Sequence, residues 1–383
     1  MSGTLPDAPP SPVWEAHADG ADLKVWTEAG ARLETTLPSA SPAEALPQLL
    51  GTLWQGPTRV VSSPDEIAMI GHRVVHGGRT YQKSTRITPE VERVIGELTA
   101  LAPAHNPAAL AGIRVAKALF GETPQVAVFD TAFHATLPDA AAIYPGPYRW
   151  AEEGIQRYGF HGISHAYAAE RAAQLLKKPL TSLRLVTCHL GNGCSLAAVR
   201  DGKSVDTTMG FTPLEGLMMG TRSGTLDPGL LLYLLRDGGH TPDELDQLLN
   251  KEAGLKGLSG VSSDLRDVSA AAAEGNAQAA LALSVYLHRI RFYLGAMLGS
   301  LGGLDALVFT GGVGEHSAMI RREVCAAFTF LGVRLETAKN DASPVDTDVA
   351  AADAAVRVLV VHAQENWAIA QSCFRFIGAS HEA

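Results

Sequence analysis

Cysteine is scarce in this chain. Its 383 residues hold four, Cys188, Cys194, Cys325 and Cys373, and no two form a C-x-x-C pair. They read as reduced thiols of a cytoplasmic protein. Neither H-E-x-x-H nor any Cys/His ligand spacing is present, which argues against zinc despite 13 histidines. No apolar run reaches the ~18 residues needed to cross a bilayer. The N-terminus lacks the basic-then-apolar pattern of a secretory signal. An excess of positive charge is also missing. Lys and Arg number 31 against 40 Asp and Glu, a net charge of −9 that argues against nucleic-acid or membrane-surface partners. What is present is ordinary globular material, 46% hydrophobic and 19% charged. The length is enough for about two domains.

Apolar strand-like runs alternate with helical ones, which predicts α/β architecture. Residues 1–12 are rich in Pro, Ser and Ala and read as disordered. Residues 13–35 read as short strands with turns at Asp19-Gly20 and Ala29-Gly30. Ile67–Val75 and Gln125–Phe129 read as strands, with a helix over Pro107–Leu119 and another capped by Thr88 ahead of Pro89. Ser164–Leu176 reads as a helix capped by Ser164. Strands are predicted at Leu183–His189, Ser195–Val199 and Ser204–Thr208, the last two joined by an Asp201-Gly202 hairpin turn. A long helix over Ala279–Leu298, strands at Ala306–Thr310 and Val356–Val361, and a closing helix over Ala368–Ile377 complete the pattern. Pro12–Leu33 and Leu183–Thr208 share a strand–turn–strand–turn–strand plan, which points to an internal duplication.

The chemistry-bearing residues fall at strand ends and in glycine-rich turns. Asp130 follows the Gln125–Phe129 run, where ligands meet open α/β sheets, and a carboxylate there can orient Mg²⁺ or its water. Arg73, in His72-Arg-Val-Val-His-Gly-Gly78, and Arg222, in Gly220-Thr-Arg-Ser-Gly224, each offer a planar fork to carboxylate or phosphate. An isolated arginine is more often a surface ion-pair residue, but this apolar, glycine-rich context turns both inward. His161 is placed to donate to a phosphoryl oxygen, with His105 supporting it. His72, His76, His134, His165 and His189 include several expected to be structural. Gly191-Asn192-Gly193 and Gly311-Gly312-Val313-Gly314 read as turns whose N–H groups cradle phosphate, although neither is a Walker loop. Ser262–Asp267 fits either a ribose or base-edge contact or a capped helix start with a local ion pair.

Together these segments resemble the acetate kinase family, which includes propionate and butyrate kinases. The resemblance runs from about residue 65 to 370, and Met209-Gly-Phe-Thr-Pro-Leu-Glu-Gly-Leu-Met-Met-Gly-Thr-Arg-Ser-Gly224 is its most specific stretch. It implies two duplicated actin-like (ribonuclease H-like) α/β domains with a nucleotide cleft between them. The expected division is residues 1–132 plus 366–383 against residues 133–365. It also implies reversible transfer of a phosphoryl group from ATP to acetate, giving acetyl phosphate and ADP, with Mg²⁺ or Mn²⁺ and a homodimer. By the same resemblance Asp130 is catalytic, His161 and Arg222 stabilise the transition state, and Arg73 binds substrate. Val75, Ala104, Phe160 and Pro213 enclose the acetate methyl. Lys24, His189, Leu190, Gly191, Asn192, Gly193, Asp264, Leu265, Arg266, Gly312, Val313, Gly314, Glu315 and His316 bind nucleotide, and Glu365 binds metal.

The sequence departs from that family in three places. Where the family opens Asn-Ala-Gly-Ser-Ser-Ser-Leu-Lys, this chain has His17-Ala-Asp-Gly-Ala-Asp-Leu-Lys24, and the segment before Ile67 is shorter than usual. Asp19 and Asp22 would put negative charge near phosphate, worth several kcal/mol at ~4 Å and an effective dielectric of about 20. Gln364-Glu365-Asn366 replaces the usual Asn-Glu-Glu. Ala104 stands where the larger Leu is common, which predicts room for propionate. Two readings follow: an active short-chain carboxylate kinase, or a non-catalytic relative that binds nucleotide or acyl phosphate as a regulatory module.

Overall fold

The computed structural model describes residues 9–19, 21–37, 42–103 and 105–379. The chain divides into two compact units. Residues up to Ala132 join those from Gln364 onward in the first, and Phe133–Ala363 form the second. Gly20, the side chain of Asp19, and Ala104 lie outside the described residues, as do residues 1–8, where disorder is expected.

In the first unit, β1 (Trp14–Asp19), β2 (Asp22–Thr27) and β3 (Arg32–Thr36) form the expected antiparallel meander. β2 alternates strictly, burying Leu23, Val25 and Thr27 and exposing Asp22, Lys24 and Trp26. A second sheet holds β4 (Ile70–Val74), β5 (Thr85–Arg86) and β6 (Gln125–Phe129) in the order β4-β6-β5, with β4 and β6 parallel. Every residue of β6 is buried, as a run of apolar side chains covered on both faces requires. Helices Pro89–Glu97 and Asn106–Phe120 supply Val91, Ile95, Leu110 and Ile113 to the core over Val74 and Phe129. Thr88 caps the first of them by accepting from Val91 N–H, as read from the sequence.

The second unit has one six-stranded sheet in the order β11-β12-β10-β7-β8-β9. Its strands are β7 (Arg184–Leu190), β8 (Cys194–Arg200), β9 (Lys203–Thr207), β10 (Ala306–Thr310), β11 (Thr347–Asp348) and β12 (Arg357–Val360). The β7-β8-β9 meander is antiparallel, and β10 and β12 add in parallel beside β7. Asp201 and Gly202 both have positive φ, 55° and 76°, as a tight two-residue hairpin needs. The helix Ala277–Leu301 buries Ala279, Ala282, Tyr286, Ile290, Leu294, Met297 and Leu301, one face at three- and four-residue spacing. It starts at an Asn276 cap and stops at Gly302, φ 65°.

The meander therefore recurs, but its partners differ. In the second unit it is hydrogen-bonded through β7 into the parallel strands. In the first it is a sheet of its own, separate from β4-β6-β5. Composition explains the difference. β7 is buried along most of its length, whereas β1 carries Glu15, His17 and Asp19 and has no apolar run fit for a strand covered on both faces.

Two local readings are corrected. Ser164 does not cap the helix Gly162–Leu176. His161 occupies that position in the left-handed region (φ 56°), and Ser164 turns its hydroxyl to His189. Gly311–Gly314 is not an open turn but the start of a short helix, Gly311–His316, continuing directly from β10.

Phe309 is fully buried on β10, inside the six-stranded sheet. Phe309→Ala is expected to cost about 3–5 kcal/mol of stability, read as a lower urea midpoint.

Candidate active site

The first unit gathers three charged side chains where β4 and β6 end. The two strands are parallel, so Arg73 of β4 and Asp130, one residue past β6, reach the same sheet edge. The ladder continues one step, with Asp130 N–H donating to Val74 O at 2.9 Å. Arg73 Nε donates to both Asp130 carboxylate oxygens at 3.1 Å, and Nη2 reaches Oδ2 at 2.7 Å. Arg73 Nη1 lies 3.4 Å from Glu365, the first residue of the helix Glu365–Ala379. Exposure is uneven. The Asp130 side chain is 2% exposed, Glu365 24% and Arg73 43%.

That asymmetry decides the ionisation. Burial pushes the Asp130 carboxyl up to about 6, although Arg73 pulls the other way, and Glu365 raises it further. Burial also works against the Arg73 charge, but Asp130 and Glu365 outweigh it and Arg73 ends above its usual value. The two partners thus shift in ways that a simple ion pair would not produce. Desolvation wins at the fully buried carboxylate, and attraction wins at the half-exposed guanidinium.

A polar network beneath this cluster escaped the sequence reading. Asn106 is fully buried, accepts from His76 N–H at 3.3 Å and donates to His76 O and Ile95 O. Thr131 Oγ1 accepts from Gly77 N–H, and Gly78 N–H donates to His76 Nδ1. These bonds pin the His76–Gly78 loop that follows Arg73. An Asn one residue before a helical Pro, in an apolar neighbourhood, was the available signal. His105 stands at the N-terminus of that helix.

Two carboxylates that share one arginine offer hard oxygen donors of the kind Mg²⁺ or Mn²⁺ takes. Among the described residues no group of three or more His, Cys, Asp or Glu gathers as a closed cage. A cation there would complete its shell with water and phosphate oxygens, the usual habit of Mg²⁺. The donor set fits.

The second unit brings together His161, His189, Arg222 and the Gly191–Gly193 bend between β7 and β8. The His161 and His189 rings lie 4.3 Å apart. His161 Nδ1 is 2.8 Å from Ser195 Oγ, and His189 Nδ1 is 2.8 Å from Ser164 Oγ. A point one Cβ bond out from Gly193 lies 3.3 Å from His161 Nε2 and 3.5 Å from Arg222 Nη1. Any side chain at Gly193 would fill that space. Gly220 N–H donates to Asn192 O, and the missing side chain at Gly220 leaves room for the Asn192 amide. Arg222 Nη1 donates to Pro213 O at 3.2 Å, and no described carboxylate forms a salt bridge with Arg222. Burial pulls its pKa down.

The remaining predicted residues are placed as follows. Asp264 caps the helix Leu265–Ala273, Arg266 folds back on it at 2.6 Å, and Leu265 is buried. The capped helix start with its local ion pair is present in the structure. Gly312 and His316 are exposed and Val313 half-buried, while Gly314 and Glu315 are buried. The Glu315 carboxylate is turned to His362 Nδ1 (2.6 Å) and Ala363 N–H (3.0 Å). Leu190 and Phe160 are core side chains, and Phe160 O meets His134 Nε2 at 3.0 Å. His134 and His165 are fully buried and hydrogen-bonded, the structural histidines expected. Val75 is half-buried, and Lys24 is exposed on β2 opposite His17 and Glu34. Asp22 is exposed, with Thr36 Oγ1 at 3.5 Å.

A carboxyl whose folded pKa exceeds its unfolded value binds its proton more tightly when folded. The Asp130 contribution is therefore fully present below about pH 4 and lost as pH rises through about 6. Carbon-13 titration should show one carboxyl with a midpoint near 6. Arg73→Gln should move that midpoint higher, since the guanidinium holds it down.

The Acetokinase family profile matches residues 13–371. The match includes the altered hairpin and so extends further toward the N-terminus than the resemblance read from the motifs. An acetate kinase of Gloeobacter violaceus is 58% identical over 380 residues, covering 97% of this chain and 94% of that protein. Among solved structures, Porphyromonas gingivalis acetate kinase is 40% identical with a TM-score of 0.87, covering 94% of this chain and 90% of that one. A Francisella tularensis propionate kinase is 38% identical with a TM-score of 0.86, covering 94% and 91%. With its actin-like α/β architecture and a profile match over nearly its whole length, the chain belongs to the acetokinase family.

Proposed function

We propose that this protein is a kinase of short-chain carboxylates, transferring the terminal phosphoryl group of ATP to acetate, with propionate as a second acceptor. The observation that carries the reading is the convergence of His161 Nε2 and a half-buried Arg222 over Gly193, with no described carboxylate in salt-bridge contact with Arg222. A desolvated cation kept in that state awaits an anion.

In the reaction a carboxylate oxygen of acetate bonds to the terminal phosphorus, and the bond from that phosphorus to the bridging oxygen breaks, leaving ADP. Acetate is already ionised at neutral pH, so no general base is required. Positioning and charge neutralisation do the rest. Arg222 and His161 stabilise the phosphoryl oxygens, and Arg73 orients the carboxylate. Asp130 and Glu365 are the residues that would hold Mg²⁺, which when bound neutralises phosphate charge. Backbone N–H groups of Gly191–Gly193 and Gly312–Gly314, with Asp264–Arg266 and Lys24, serve the nucleotide. Val75, Ala104, Phe160 and Pro213 serve the acyl group, and Ala at 104, where the family commonly has the larger Leu, is the ground for propionate as a second acceptor.

We further propose a cytoplasmic homodimer. The helix Pro228–Arg236 buries none of its residues and exposes Leu230, Leu232, Tyr233 and Leu235, an apolar face fit for a second copy. No helix among the described residues is long and apolar enough to cross a membrane. The non-catalytic reading rested on the hairpin alone, and neither the family match nor the relatives add support for it.

Hydroxylamine trapping with Mg-ATP should yield acetohydroxamate from acetate. Propionate should be used with kcat/KM within about 200-fold of acetate, the reach of one methylene. Arg222→Gln should lower kcat on the order of 10²–10³. No acyl phosphate from either acid, with ATP bound, would overturn the reading.

A further inference from the structure

His161 joins a hydrogen-bonded chain that runs back through buried neutral groups. His161 Nδ1 is 2.8 Å from Ser195 Oγ, which is also 2.8 Å from His165 Nε2. His165 Nδ1 is 2.7 Å from Thr187 Oγ1, and Thr187 Oγ1 donates to Ala197 O at 3.4 Å. Thr187, Ser195 and His165 are all fully buried.

Proton counting gives the chain a direction. A hydroxyl has one proton, and the Ala197 carbonyl, at 3.4 Å, is the one neighbour of Thr187 Oγ1 that can only accept it. With the proton there, Thr187 Oγ1 meets His165 with a lone pair, and His165 Nδ1 must carry the proton. A neutral imidazole has one donor, so His165 Nε2 is an acceptor and takes the Ser195 proton. Ser195 then has only a lone pair for His161, whose Nδ1 must be the donor. Neutrality of His165 follows from its setting. Burial, and then the neighbouring His134 and His189, push it well below its ordinary pKa.

We propose that Thr187, His165 and Ser195 form a directed chain that holds the His161 proton on Nδ1, so that His161 donates from Nε2 to phosphate only as the imidazolium cation. This rests on the reading of His161 as a phosphoryl-oxygen donor. Thr187, His165 and Ser195 are positioning residues, and the chain selects a charged donor over a neutral one. Among the described residues, the titratable groups that face His161 include His189 on β7, Arg222 beyond Gly193, and His165 through Ser195. The left-handed backbone of His161 (φ 56°), disfavoured for a residue with a Cβ, is a second sign that ring placement is imposed.

The test is a two-bond proton–nitrogen NMR spectrum of the full chain labelled with ¹⁵N-histidine, recorded on the alkaline side of the His161 titration. His161 is assigned by comparison with His161→Gln. The proposal expects the neutral ring to carry its proton on Nδ1. It also expects Thr187→Val, which removes the acceptor at the head of the chain, to reverse the order and move the His161 proton to Nε2. In kinetics, wild-type kcat should fall on the alkaline side as His161 loses its Nε2 proton, with KM for ATP little changed. In Thr187→Val that alkaline limb should flatten, because the neutral ring now donates. A neutral wild-type His161 protonated on Nε2 overturns the proposal, as does a Thr187→Val spectrum that keeps the Nδ1 form. Absence of turnover in wild type at every pH would instead strike the kinase reading, while the spectrum would still decide the chain.

Discussion

One buried carboxylate, held by one half-exposed arginine, sets the terms for the first unit. Asp130 stands at the end of a strand with no exposed residue, and Arg73 from the neighbouring parallel strand covers both its oxygens. The pairing does not repay desolvation, since burial still pushes the carboxyl up to about 6. At 1.36 kcal/mol per pH unit, carrying the Asp130 charge in the folded protein rather than in the unfolded chain costs on the order of 3 kcal/mol at neutral pH. An apolar residue would serve the strand better. The surrounding bonds, from Asn106 to His76 and from Thr131 to Gly77, hold the loop after Arg73 in place around this charge.

The second unit handles charge differently. Around Arg222 and His161 the supporting residues are neutral: Ser164, Ser195, Thr187 and the buried His165. No described carboxylate quenches Arg222. One unit therefore presents carboxylates tempered by an arginine, and the other presents cations ordered by neutral hydrogen bonds. Phosphoryl transfer to an anion needs both, oxygen donors for a divalent cation and fixed positive charge for the phosphoryl oxygens.

Much of this was legible in the sequence because it rests on local rules. The mainly apolar runs at Gln125–Phe129 and Ala306–Thr310 are strands with those bounds, Thr88-Pro89 starts a helix, and Asp201-Gly202 turns a hairpin. Arg73, Asp130 and Glu365, far apart in the chain, meet in the structure. What was not legible depends on partners distant in sequence. Ser195 and Thr187 look like ordinary strand residues until the β7-β8 register sets Ser195 opposite His189 and Thr187 opposite Ala197. Ser164 has the composition of a cap but sits one turn too late, because His161 adopts a left-handed conformation uncommon for residues other than glycine. Gly311–Gly314 looks like a loop by composition, yet Gly311 is needed for a left-handed junction (φ 78°) beside the Leu190 backbone, and the chain then enters a helix.

The central claim is that Asp130 is kept for chemistry at a cost to stability. Asp130→Asn tests it most directly, with urea unfolding at neutral pH, ATP binding by calorimetry, and single-turnover phosphoryl transfer to acetate measured on one preparation. Losing a partner from a buried pair usually costs several kcal/mol, but here the orphaned Arg73 is half-exposed and still beside Glu365. The account predicts stability equal to or above wild type, ATP still bound, and transfer slowed on the order of 10²–10³ or more. A variant that transfers phosphate at the wild-type rate, or one that unfolds several kcal/mol more easily, would contradict it.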